Sequence, residues 1–255
     1  AFYLLLLVAI VAGWLMGRFS SAKSSSPKNT REDLFQDYFV GLNYLLNDEP
    51  DEAIDTFIKA LEINSETIET HLALGALLRR RGKVDKAINV HQALLARPNL
   101  ERKFSNSVRL QLSLNYIAAG LLDRAERLSK EVLDDGSEAR WEALQQLITI
   151  YQTEKEWDNA IGCSSELLQN VNYKKDGVLR GKAAHFCCEI AEQNLHDEQI
   201  AEARAAIKRA FTFERKSIRA MLLLADIEQR EGNYKASIKE LLRVRLAQPR
   251  FMPQL

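Results

Sequence analysis

The stretch ETHLALGALLRRRGKVDKAINVHQALL, residues 69–95, decides the fold. Two apolar-periodic segments flank Arg81-Gly82-Lys83, a turn signal between two helices. Gly75 in the first segment stands twelve residues before Ala87 in the second. Working outward, the same small residue heads a helix at Ala53, Ala87, Ala125, Ala160, Ala203 and Ser237, with separations of 34, 38, 35, 43 and 34. Twelve residues upstream of each come Gly41, Gly75, Ser113, Ile148, Ala191 and Ala225, five of the six being small. Nine upstream come Tyr44, Leu78, Tyr116, Tyr151, Asn194 and Glu228, the last two breaking the pattern. Four downstream come Phe57, His91, Ser129, Ser164, Ile207 and Leu241, so a bulky residue is missing in units three and four. Ala119-Gly120-Leu121 and Glu231-Gly232-Asn233 repeat the turn signal.

This is the tetratricopeptide pattern. Each unit is a pair of antiparallel helices whose facing small residues let the backbones approach, while bulkier residues fill the grooves around them. One hairpin cannot bury its apolar face alone, so units stack into a solenoid with a continuous core. The expectation is an all-α chain: an N-terminal transmembrane helix followed by a tetratricopeptide-repeat superhelical solenoid of about six repeats over residues 34–249. The spacings of 38 and 43 place insertions in the turns around 97–104 and 169–181. Residues 250–255 read as the start of a further repeat with no capping helix after it, so a longer protein is expected.

Composition supports a helical chain and narrows its partners. The 255 residues carry 35 Lys+Arg against 35 Asp+Glu, a formal net charge of zero. That balance argues against a nucleic-acid binder relying on bulk positive charge and against an acidic solvating tail. Apolar residues at 46% and charged residues at 27% exclude wholesale disorder. The prolines fall at 27, 50, 98, 249 and 253, leaving 99–248 without one, which disfavours a turn-rich β architecture.

Residues 1–17, AFYLLLLVAIVAGWLMG, hold no charge. Seventeen residues of helix span about 25 Å, a little short of a hydrocarbon core of roughly 30 Å. The chain opens on Ala1 rather than Met, and residues ahead of it are expected to complete the span. A cleaved signal peptide fits less well, because no basic start precedes the apolar run and Ser-Ser-Ala at 20–22 is a weak cleavage site. The anchor residues are Leu4, Leu5, Leu6, Leu7, Val8, Ile10, Val11, Trp14 and Leu15. Arg18, Lys23, Lys28 and Arg31 precede the first acid, Glu32, so the N-terminus is expected outside and residues 18–255 in the cytoplasm. Residues 18–33, with five serines and no apolar period, read as a basic juxtamembrane linker.

No nucleophile elbow, phosphate-binding loop, dinucleotide fingerprint or zincin motif occurs, and the chain is expected to be non-enzymatic. Cys163, Cys187 and Cys188 lack metal-ligand spacing and read as small buried hydrophobes of a reducing compartment. A pairing of His185 with Cys188 is conceivable, but packing is the plainer reading. Arg79-Arg80-Arg81 reads as a solvated helix end that opposes the helix dipole.

Binding is what such an array supplies. Repeat positions 2, 5, 9 and 12 of the first helices line the concave face of tetratricopeptide arrays. They map to Phe35, Tyr38, Leu42 and Leu45 in unit one, and to Glu69, Leu72, Ala76 and Arg79 in unit two. Unit four gives Glu142, Gln145, Thr149 and Gln152; unit five His185, Cys188, Glu192 and Leu195; unit six Arg219, Leu222, Asp226 and Gln229. From these, Arg79, Gln145, Gln152, His185, Glu192, Arg219, Asp226 and Gln229 are the candidate partner-binding residues.

The ordered whole also resembles one family, lipopolysaccharide assembly protein B of Gram-negative bacteria. The carrying features are Gly-Trp-Leu-Met-Gly-Arg at 13–18, DYFVGLNYLL at 37–46, ETHLALGALL at 69–78, YIAAGLLDRAE at 116–126, ALQQLITIYQ at 143–152 and AHFCCEIA at 184–191. The resemblance implies a single-pass adaptor of the bacterial inner membrane that regulates lipopolysaccharide synthesis. It would present the committed lipid A deacetylase to a membrane-bound AAA+ protease and answer to a membrane sulfatase-like sensor. It also implies a rubredoxin-like domain with a four-cysteine metal site beyond residue 255, and no cofactor within this segment. Nucleic acid and small-molecule substrates are not expected. The alternative reading is an assembly scaffold or chaperone for another membrane complex.

Overall fold

The computed structural model describes residues 40, 68–98 and 100–247. The apolar run 1–17, the basic linker, the first repeat apart from residue 40, and residues 250–255 lie outside them. The chain divides into two compact units, Ala1–Glu69 and Thr70–Leu255. The described helices belong to the second unit, apart from the first two residues of the opening helix. Ten helices are described, with no strand among the described residues. They are α1 (Ile68–Arg80), α2 (Val84–Leu95), α3 (Arg102–Ala118), α4 (Leu122–Asp134), α5 (Arg140–Glu154), α6 (Trp157–Leu167), α7 (Gly177–His196), α8 (Ile200–Phe213), α9 (Ile218–Arg230) and α10 (Tyr234–Ala247). None is long and apolar enough to cross a membrane.

The helices pair as the repeat spacing requires. Tight turns join α1 to α2, α3 to α4, α5 to α6, α7 to α8 and α9 to α10. First helices of successive hairpins also touch, α3 against α5 and α7 against α9. The small residues heading the second helices, Ala87, Ala125, Ala160, Ala203 and Ser237, are all buried, as are Gly75, Ser113, Ile148, Ala191 and Ala225 twelve residues earlier. One apolar cluster runs from Leu112 in α3 to Ile227 in α9, with Trp157 stacked on Phe186 at 5.8 Å between ring centroids. The solenoid therefore has a shared core.

Every intra-hairpin turn among the described residues closes in the same way. Five residues before the small helix head the backbone is left-handed, at Gly82, Gly120, Lys155, Glu198 and Gly232. The next residue donates its N–H five residues back: Lys83 to Leu78 at 2.9 Å, Leu121 to Tyr116 at 2.9 Å, and Glu156 to Tyr151, Gln199 to Asn194 and Asn233 to Glu228, each at 2.8 Å. This is the Schellman closure, which satisfies an orphan helix carbonyl. Glycine takes the left-handed position without strain; Lys155 and Glu198 take it at φ 60°.

Two expectations change. The extra residues at 97–104 and 169–181 do not lie wholly in turns: α3 begins at Arg102 and α7 at Gly177. These helices run to 17 and 20 residues against 13 for α1, so part of each insertion lengthens a first helix. Asp176 sets where α7 starts, its Oδ1 accepting the N–H groups of Val178 and Leu179 at 2.9 and 3.0 Å. The missing bulky residue of unit three is replaced by polar packing. Buried Ser113 and Ser129 place their hydroxyls 2.8 Å apart, Ser129 donates to Gln146 Oε1 at 3.2 Å, and Gln146 Nε2 donates to the Leu110 carbonyl at 3.1 Å. In unit four the Ser164 hydroxyl returns to its own helix, donating to the Ala160 carbonyl at 2.7 Å.

Candidate functional site

The first helices carry the polar side chains singled out from repeat positions, and the structure joins three of them. Arg219 of α9 reaches α7, donating Nε–H to Glu192 Oε1 at 3.0 Å and pairing with Glu192 Oε2 at 2.8 Å. The same guanidinium bonds Glu189 Oε1 at 2.5 Å and lies 2.7 Å from His185 Nδ1. His185 Nε2 stands 3.3 Å from Glu189, one helical turn along α7. Arginine always carries its proton, so Nδ1 of His185 accepts here and Nε2 is left to face the Glu189 carboxylate. Burial opposes the charge on Arg219, but its bonds to Glu192 and Glu189 outweigh that and raise its pKa. Arg219 is one-third exposed and Glu192 and His185 nearly half, so a partner reaches them without unfolding anything.

Glu189 is not among the residues that repeat position singles out. Its signal in the sequence is an acid four residues after a histidine and three before Glu192 on one helix, a spacing that puts all three on one face.

Grooves open beside this cluster. Glu192, Leu195, His196, Leu223, Asp226 and Arg230 line one of about 460 Å³ between α7 and α9, where Asp226 pairs with Arg230 at 2.8 Å. Gln145 and Thr149 of α5 line another, of about 250 Å³, with Lys182 and Val178 of α7. Gln152 and Gln229 are exposed near the ends of α5 and α9. Glu142 lies in a wider groove of about 840 Å³ between α3, α5 and Tyr173 of the α6–α7 connection.

Two positions behave differently from expectation. Cys188, assigned to the groove by repeat position, is buried, whereas Leu195, also largely buried, still lines the α7–α9 groove. α7 packs against α6, α8 and α9, and Cys188 lies on the side these helices cover. Burial pushes the thiols of Cys163, Cys187 and Cys188 up to about 11, which leaves them protonated and unreactive at neutral pH. Arg79 does not simply end a helix in solvent. It donates to Gln111 Oε1 at 3.1 Å and Asn115 Oδ1 at 2.8 Å, both on α3, while Arg80 and Arg81 stay exposed. Burial, and then the charge of Arg80, lowers its pKa. Among the described residues no group of three His, Cys, Asp or Glu is disposed to hold a metal ion.

Stacked helical hairpins with a shared core and a polar face on the first helices define a tetratricopeptide-repeat protein. The tetratricopeptide-repeat family model matches residues 70–103. A crystal structure of MamA, 17% identical, superposes with a TM-score of 0.50 over 74% of this chain and 96% of its own, a likeness of fold. In particular, the chain is similar to lipopolysaccharide assembly protein B. It is 36% identical to the Escherichia coli K12 protein over 95% of this chain, and 36% identical to the Haemophilus influenzae protein over 94%. The resemblance read from the sequence is thereby borne out over nearly all of these residues. The chain spans about three-fifths of the length of these curated relatives.

Proposed function

We propose that the chain is a non-catalytic adaptor of the inner membrane that acts in the control of lipopolysaccharide assembly. It would hold the lipid A deacetylase on the α5, α7 and α9 face and bring it to a membrane-bound AAA+ protease. The relatives' name supports the pathway, and the repeat fold supports recognition of protein. The observation that carries the reading is the exposed cluster of Arg219, Glu192, Glu189 and His185, bordered by grooves. A guanidinium already fixed by two carboxylates loses little freedom when a client docks, which favours a defined complex over loose adhesion.

Anchoring by residues 1–17 would supply effective concentration. An adaptor and a protease held in one membrane meet as a quasi-intramolecular pair, an advantage set by linker reach. The sulfatase-like sensor would then regulate the adaptor through the anchor. The test is turnover of the deacetylase in cells carrying either the full chain or a form without residues 1–17. Slower turnover with the detached form, at equal abundance, supports the adaptor reading. Equal turnover contradicts it.

A further inference from the structure

The α6–α7 connection and the α8–α9 turn are drawn to one edge of the solenoid by Arg180. Its Nε–H donates to the carbonyl of Lys174 at 3.3 Å and its NH1 group to the carbonyl of Phe213 at 3.0 Å. That clamp gathers Lys174 and Lys175 with Arg215 and Lys216, all four exposed. None forms an ion pair among the described residues. The two acids of these segments are turned onto backbone instead. Asp176 caps α7, and Glu214 Oε1 accepts the N–H of Lys216 at 3.0 Å. Two bare apolar side chains flank the lysines, Val171 at 87% exposure and Val178 at 72%.

We propose that this edge docks on an anionic membrane surface. Lysines and arginines that outnumber the neighbouring acids and pair with none of them are attracted to acidic headgroups, while the exposed valines beside them gain by entering the interfacial layer. A chain whose charges sum to zero carries a local excess of positive charge here, which suits an anionic surface better than a neutral one. An acidic protein would match the charge but would leave Val171 and Val178 unexplained. The biological setting rests on the reading of residues 1–17 as a membrane anchor; the edge itself does not.

Trypsin reads the edge directly, because Lys174-Lys175 is its natural site in an exposed loop. The full chain is digested in nanodiscs of phosphatidylcholine alone and in discs with about one-third phosphatidylglycerol. Cleavage after Lys155, at the other end of α6, serves as the internal reference. Cleavage after Lys174 and Lys175 is expected to slow about ten-fold in the anionic discs and to recover in about 0.5 M salt. The double variant Arg215→Glu, Lys216→Glu keeps the cleavage site and is expected to lose the protection while retaining helicity. Equal cleavage in the two disc types overturns the proposal. So does protection by poly-glutamate without lipid that equals protection by the anionic discs, which would assign the edge to an acidic protein. Incorporation into the zwitterionic discs reports on the anchor separately.

Discussion

Nδ2 of Asn115 lies 2.7 Å from Nδ1 of His91, both residues fully buried and drawn from different hairpins. The chain of donors runs one way. Arg79 donates to Asn115 Oδ1, Asn115 Nδ2–H donates to His91 Nδ1, and His91 Nε2–H faces the carbonyl of Leu72 at 3.4 Å. Arginine fixes the asparagine amide, and the amide fixes the histidine tautomer. Replacing Asn115 with Ala leaves a buried ring nitrogen unpaired and strips Arg79 of a partner. A loss of about 2–3 kcal/mol is expected in urea denaturation; a change under half of that would show the chain of bonds to be incidental.

Burial first, with a smaller push from Arg79, holds the His91 pKa at about 4 against an ordinary 6.5, despite the opposing bond to Leu72. The unfolded chain then binds a proton that the folded chain refuses. Stability is unaffected above pH 6.5, declines as pH falls from 6.5 to about 4, and loses about 3 kcal/mol across that window. Urea midpoints of wild type and His91→Leu, compared at pH 7.5 and 4.5, isolate this from the carboxylates. The variant is expected to show a clearly shallower decline, and parallel declines would contradict the assignment.

Gly75 sits where a Cβ would come within 2.3 Å of the His91 ring. Gly75→Ala is therefore expected to destabilise by about 1–3 kcal/mol through overpacking. In a His91→Ser background the same substitution is expected to cost little or to help, since alanine suits a helix better than glycine. Additive effects in thermal melts would mean that the close approach is not what holds position 75 to glycine.

Lys155 and Glu198 occupy the left-handed closure that Gly82, Gly120 and Gly232 fill elsewhere. Lys155→Gly and Glu198→Gly are each expected to stabilise by about 0.5–1 kcal/mol, and Gly120→Ala to destabilise by about 1 kcal/mol. Chemical denaturation checks all three, and a loss of stability in either glycine variant would contradict the strain.

Much of the fold is legible in the sequence because repeats announce themselves by small residues and turn glycines at fixed offsets. The turns at Lys155 and Glu198 follow from register alone, since nothing in either residue signals φ of 60°. Insertion lengths are visible but not their form, because residues 102–104 contain no helix breaker and simply extend α3. His91 fills the place of a bulky residue in the pattern, yet its polarity is what links it to Asn115 and Arg79, a contact no spacing reveals. Cys188 meets the groove rule by position and fails it because α7 packs against three neighbours. Glu228 breaks the pattern by accepting from Arg204 at 2.5 Å, so a charge pair joins α8 and α9 there.

The proposed function puts client recognition on the α5, α7 and α9 face, and the affinity of the deacetylase for the full chain tests that proposal most directly. Arg219→Glu would set a third carboxylate beside Glu189 and Glu192, while Lys208→Glu alters an exposed residue of a second helix. With helicity and melting temperature of each variant close to wild type, Arg219→Glu is predicted to weaken binding about ten-fold or more and Lys208→Glu to leave it unchanged. Wild-type affinity in Arg219→Glu together with a loss in Lys208→Glu would move the site to the opposite face and contradict the assignment.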